Sequence, residues 1–230
     1  MGADALALAR AVLRSAELKA GVAETAPPID VDQPNQARPL ATLLPEGRLP
    51  RGAMTSVRGS NALLLAVLAT DHKPGEWSAI VGAPTLGMLA AAQAGLELER
   101  LVLIPDPGPA AADVLAALVD GFDQVVIGPD ARLAPSDRRR ILARARDRDV
   151  ALIDPQNPES ATLTLDVDHR TWTGTDDGAG YLKTQTLHLE RSGRGANAQP
   201  RRYKVTLPDT TGANCIELAR TTPAQLRLIS

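Results

Sequence analysis

A chain of 230 residues, 44% hydrophobic and 23% charged, is long enough for one domain with a substantial core, or for a domain of about 150 residues with appendages. The formal net charge of −2 excludes a general electrostatic pull toward nucleic acid or an anionic membrane, and an aromatic content of 2% excludes a large base-stacking surface. Cys215 is the single cysteine, which excludes an internal disulfide and a cysteine-based zinc site; with no run of about 18 apolar residues, a cytoplasmic setting away from the membrane is expected.

In chain order, residues 1–21 predict an amphipathic helix. Leu6, Ala9, Leu13, Ala16 and Ala20 recur on one face, and Gly21 ends it. Residues 22–40 carry Pro27, Pro28, Pro34 and Pro39 among small polar residues and read as an extended linker. A helix detached in this way has to bury its apolar stripe on the body, on another copy or on a partner.

Residues 41–207 form the expected core. Strands are predicted at Ala53–Arg58, Trp77–Gly82, Leu101–Ile104, Gln124–Ile127 and Val150–Ile153. Helices are predicted at Ala62–Thr70, Leu86–Ala94, Ala110–Val119 and Pro135–Arg148. Short aliphatic runs alternating with helices of about ten residues predict an α/β fold: a doubly wound, largely parallel sheet with helices on both faces. After Pro155 the pattern becomes apolar-polar alternation, in Leu163, Leu165 and Val167, then Leu182, Leu187 and Leu189, then Val205 and Leu207, with breaks at Gly174, Gly178, Gly180, Gly193 and Gly195. That predicts an antiparallel meander with one solvated face. Residues 208–230 read as a polar, turn-rich tail, with a short amphipathic piece at Cys215–Ala219 or Pro223–Ile229.

The first strand-turn-helix unit stands where a nucleotide-binding protein carries its phosphate loop. A Walker A loop, G-x-x-x-x-G-K-[ST], uses backbone N–H groups, a Lys and a hydroxyl to hold phosphates and Mg²⁺. Here the segment reads Val57-Arg58-Gly59-Ser60-Asn61-Ala62, with one glycine and no Lys before a Ser or Thr. The second strand ends in Val81-Gly82-Ala83-Pro84, without a carboxylate to act as general base. The fourth ends in Ile127-Gly128-Pro129, with Asp130 beyond the place where a Mg²⁺-binding acid is needed. Three missing groups on one chain argue against ATP hydrolysis, so no catalytic residue and no cofactor is assigned.

The remaining constellations are weaker. His72, His169 and His188 lack ligand spacing, and no metal is assigned. Asp166 and Asp168, with Asp176 and Asp177, read better as a solvated strand edge than as a cation site. Cys215 has no activating base, and Ser56 and Ser60 lack a nucleophile elbow. Arg138, Arg139, Arg140, Arg144, Arg146 and Arg148 fan around the outside of one helix, offset by Asp137, Asp147 and Asp149, and read as a solvated face. Arg191, Arg194, Arg201, Arg202 and Lys204 flank the Gly-rich stretch Ser192–Pro200 with few acids nearby; they are the candidate contacts for DNA phosphate or an acidic partner.

Three segments carry a resemblance. Leu49-Pro50-Arg51-Gly52-Ala53-Met54-Thr55-Ser56-Val57, then Gly95-Leu96-Glu97-Leu98-Glu99-Arg100-Leu101-Val102-Leu103-Ile104-Pro105-Asp106-Pro107-Gly108, then Arg170-Thr171-Trp172-Thr173-Gly174 resemble the ImuA family, and most closely its actinobacterial ImuA-prime form. The resemblance covers most of residues 43–207. It implies a RecA-like core in SOS-inducible, error-prone translesion DNA synthesis, beside an ImuB-type inactive Y-family polymerase homologue and a DnaE-type polymerase. It implies a binding role, since ATPase residues cannot be carried over onto positions of the wrong type. By analogy with recombinases, Leu6 and Leu13 are candidate self-association residues, and the tail is a candidate dock for the ImuB-type partner. Two other readings stay open: an ATP-dependent RecA-type DNA-binding motor with a divergent loop, and a SulA-like inhibitor of cell division.

Overall fold

The structure is a computed structural model that describes residues 40–176, 179–208 and 215–218. The predicted N-terminal helix and most of the linker lie outside the described residues, as do both ends of the tail.

Among the described residues nine strands form one sheet: β1 (Met54–Arg58), β2 (Ser78–Val81), β3 (Leu101–Ile104), β4 (Gln124–Ile127), β5 (Ala151–Ile153), β6 (Leu163–Asp176), β7 (Ala179–Gly193), β8 (Arg201–Leu207) and β9 (Cys215–Leu218). Their order is β3-β2-β4-β5-β1-β6-β7-β8-β9. All pairings from β3 to β6 are parallel, and those from β6 to β9 are antiparallel. The expected α/β architecture, a parallel sheet extended by antiparallel strands, is therefore present.

Four α-helices lie among the described residues: α1 (Asn61–Asp71), α2 (Met88–Ala94), α3 (Ala111–Gly121) and α4 (Pro135–Arg148). Alternation along the strands sorts them onto two faces. Val57, Ile80, Val126 and Ile153 share a buried cluster with α1, α2 and the inner residues of β6–β8, whereas Ala79, Val81, Val125, Ile127 and Leu152 pack with Leu115 and Val119 of α3 and Ile141 and Ala145 of α4. The steps β1→β2→β3 run one way along the sheet and β3→β4→β5 run back, which explains why the helices divide in pairs. Helix α1 is buried almost all round, from Leu63 through Leu68, which fits a helix with no polar face in its sequence.

Two expectations are corrected. Part of the tail is a strand, not a turn-rich or amphipathic piece: Cys215–Leu218 pairs with β8 in the register Val205↔Cys215 to Arg202↔Leu218. Gly174 does not break a strand either; it sits at φ +112 inside β6, where the register with β7 shifts between Thr173 and Thr175. A glycine at a bulge absorbs the irregularity, so the hairpin continues past it.

Candidate functional site

Open parallel sheets keep ligands in a crevice outside the carboxyl ends of their strands. In this chain that crevice is bounded by the turns after β1, β2, β4 and β5. It holds a hollow of about 270 Å³ lined by Val57, Arg58, Gly59, Ser60, Asn61, Leu64, Ala83, Leu86, Val126, Gly128, Pro129, Pro155 and Gln156. This is just below the roughly 300–1,000 Å³ usual for ligand pockets. Its walls are mostly aliphatic. The one cation in it, Arg58, reaches Asp166 on β6 at 3.3 Å.

The turn from β1 to α1 consists of Gly59 and Ser60 alone. Ser60 caps its own helix: its hydroxyl accepts from the Leu63 N–H at 3.2 Å, and its carbonyl accepts from the Leu64 N–H at 3.1 Å. Gly59 lies at φ +81 with its missing Cβ aimed at the Val167 carbonyl, 2.8 Å away, so the turn leans on β6 and cannot carry a side chain there. Two residues cannot wrap a phosphate, and one of the helix-start donors, the Leu63 N–H, is already engaged by the Ser60 hydroxyl.

Between β2 and β4 the crevice is closed by main chain. Gly128 N–H donates to the Val81 carbonyl at 2.6 Å, and Asp130 N–H to the Gly82 carbonyl at 2.8 Å. A Cβ on Gly128 would run into the Gly82 carbonyl, and a Cβ on Gly82, at φ +71, would run into the Ala131 amide. Asp130 is exposed on the outer side of this closure.

The sequence reading missed Asp154. It ends β5 fully buried, ion-paired with Arg138 of α4, and its other oxygen accepts from the Gln156 N–H at 3.0 Å. Burial pulls the Arg138 guanidinium below its ordinary value. The pair ties α4 to the sheet, beside a larger hollow of about 460 Å³ under Arg138, Arg139, Asn157 and Glu159. The reading also missed a network at the opposite end of the sheet. Arg51 reaches Asp71 at 2.9 Å, Glu76 at 3.4 Å and the Asp123 carbonyl at 2.7 Å; Gln124 donates to Asp71 at 3.2 Å and accepts from Ser78 at 2.9 Å. Burial raises the Asp71 carboxyl above its usual range, with the Arg51 charge acting against that rise. The only advance signal for either group was a polar residue at the boundary of an apolar run.

The basic candidates do not form one patch. Alternation along β7 and β8 puts Arg191 and Arg201, which are register partners, on the sheet face shared with Leu189 and Tyr203, and puts Arg202 and Lys204 on the other. Arg191 is bound to Asn197, Arg194 to the Glu159 carbonyl, and Arg202 lies 3.9 Å from Glu190. The arginines of α4 are largely paired within the chain. Arg144 and Arg148 meet Asp120, and Arg140 meets Asp113 and Asp137. His169 and His188 stand edge to face, 5.8 Å apart across β6 and β7. Asp166 pairs with Arg58, while Asp168 falls at the register shift between Val167 and His169. Leu6 and Leu13 lie outside the described residues.

Residues 42–159, just over half of the chain, match the family described as the MT3502 N-terminal domain. The chain belongs to this family. The matched stretch runs from the segment before β1 to the turn after β5, and so contains every turn that borders the crevice. A relative in Mycobacterium tuberculosis, Uncharacterized protein Rv3395c, is 41% identical over 114 residues, which is 48% of this chain and 56% of the relative. The match thus spans little more than half of the relative's length.

Proposed function

We propose that this chain is a RecA-like adaptor that acts by binding rather than by nucleotide chemistry, in error-prone DNA synthesis across lesions. Its partners on this reading are an ImuB-type polymerase homologue directly and a DnaE-type polymerase through it. The observation that carries the non-hydrolysing half is the two-residue turn at Gly59 and Ser60, capped on itself and resting on Val167. Support for the damage-tolerance half is the resemblance of Leu49–Val57, Gly95–Gly108 and Arg170–Gly174 to the ImuA family.

The test has two arms. Mg²⁺ with ATP is expected to leave the thermal midpoint of the full chain unchanged, because only a ligand bound to the folded state raises it, and to show no turnover. The tagged chain is expected to capture the purified ImuB-type homologue from the same genome. A midpoint raised by ATP, with hydrolysis, would establish the motor reading instead, and capture of the division GTPase in place of the polymerase homologue would establish the SulA-like one.

A further inference from the structure

The sheet ends at β3, and among the described residues nothing pairs with its outer edge. The strand is short, four residues followed by Pro105, but its own sequence and register leave the edge open to a second strand. Leu101–Ile104 contains no Pro, Lys or Gly, and its register with β2 runs unbroken from Ser78↔Leu101 to Val81↔Ile104. The Gly82 N–H donates to the Ile104 carbonyl at 2.7 Å, so Ile104 turns its main chain inward toward β2. Alternation then turns the N–H and C=O of Leu103 and the C=O of Leu101 outward, while the Leu101 N–H closes the turn before the strand by donating to the Leu98 carbonyl.

Apolar side chains gather at the same border of the molecule. Of the five large hydrophobic residues that stand exposed among the described residues, three lie here: Leu89 at 60% on α2, Leu98 at 39% just before β3, and Trp77 at 38% just before β2. Charge is equally one-sided. From Gly87 to Leu118 the acids are Glu97, Glu99, Asp106 and Asp113, and the single base is Arg100. Arg100 is already occupied, lying 5.5 Å over the Trp77 ring, 3.8 Å from Glu97 and donating to the Gly75 carbonyl.

We propose that the β3 edge is a docking site for an extended aliphatic segment of a partner protein flanked by basic residues, added to the sheet as a tenth strand. The Leu103 N–H and the Leu101 and Leu103 carbonyls supply main-chain hydrogen bonds, Leu98 and Leu89 receive alternate apolar side chains, and the surrounding acids select for Lys or Arg at the segment's ends. A second copy of this chain is a poor occupant, since its β3 would bring the same acids against these. The proposal stands on the edge alone and does not depend on the function proposed above.

The test uses two blocked peptides with the same core, Val-Thr-Val-Ile-Val, one flanked by Lys-Lys and the other by Glu-Glu, added to the full ¹⁵N-labelled chain. The expected result is roughly tenfold tighter binding of the lysine-flanked peptide, with slowed hydrogen exchange at the Leu103 amide. The exposed double variant Glu97→Lys/Glu99→Lys is expected to reverse that preference without changing the thermal midpoint. Equal affinity for the two peptides, or binding that leaves the Leu103 amide unprotected, would overturn the proposal. So would a Leu103 amide already protected in the free chain, whether by a second copy or by residues 1–39.

Discussion

At the carboxyl ends of the parallel strands the chain closes on its own main chain, Gly59 against the Val167 carbonyl and Gly128 against Gly82. At the amino ends the same sheet holds Arg51, Asp71, Glu76, Ser78 and Gln124 in one bonded network. In an open α/β sheet the first end is where ligands are held. Here main-chain contacts narrow it to a small, mostly apolar hollow, and the polar groups of the opposite end bind one another. The contrast teaches that an open parallel sheet can hold its frame by polar bonds at the amino ends of its strands while main-chain contacts close the carboxyl ends.

The comparison can be broken at either end. The largest effect is expected from Arg51→Ala, which leaves the Asp71 carboxylate, 1% exposed, without its cation; breaking such a pair costs about 3–5 kcal/mol. Urea unfolding measures it, and a loss below about 1 kcal/mol would mean that the network is not what holds the amino end together. Next comes Gly82→Ala, expected to cost about 2–3 kcal/mol, because the new Cβ meets the Ala131 amide while φ stays at +71. Gly75→Ala is the control. Its φ is +90, but nothing lies within 4 Å of the added carbon, so it should cost only about 1 kcal/mol. If the two substitutions cost the same, main-chain closure contributes nothing beyond backbone conformation.

The smallest effect concerns pH. Burial holds the folded-state Asp71 carboxyl above its ordinary 3.8. A carboxyl raised in the folded state favours folding when protonated, so its contribution is complete below 3.8 and is lost as pH climbs through the raised value. Wild type is therefore expected to gain stability relative to Asp71→Asn as the solution is acidified through that window. Urea midpoints on both sides of it give the sign, and parallel curves for the two proteins would remove Asp71 as the titrating group.

Much of the parallel half was legible because its strands are short aliphatic runs punctuated by Gly and Pro. Leu101–Ile104, Gln124–Ile127 and Pro135–Arg148 begin and end where the sequence pattern places them. The antiparallel half was legible in its alternation and not in its length. Gly174 looked like a stop and serves as a bulge, so β6 and β7 run on for 14 and 15 residues. Cys215–Leu218 is too short to show a period and becomes a strand only because β8 offers an edge. At the site, the missing Lys and the missing carboxylates could be read directly. The closure of Gly82 on Gly128 could not, since it exists only once β2 and β4 are neighbours. Arg51 and Asp71 are 20 positions apart, and only the packed sheet brings them together.

Strand β1 has a parallel neighbour on each side, β5 through Met54↔Leu152 and β6 through Thr55↔Leu163 to Arg58↔Asp166. The stretch that defines the family stops at residue 159, before β6 begins. A fragment cut there would strip hydrogen-bond partners from its own first strand and bare Val57 to water. The unit that has to be expressed, truncated or grafted intact therefore reaches past the matched stretch, at least to the strands that cover β1.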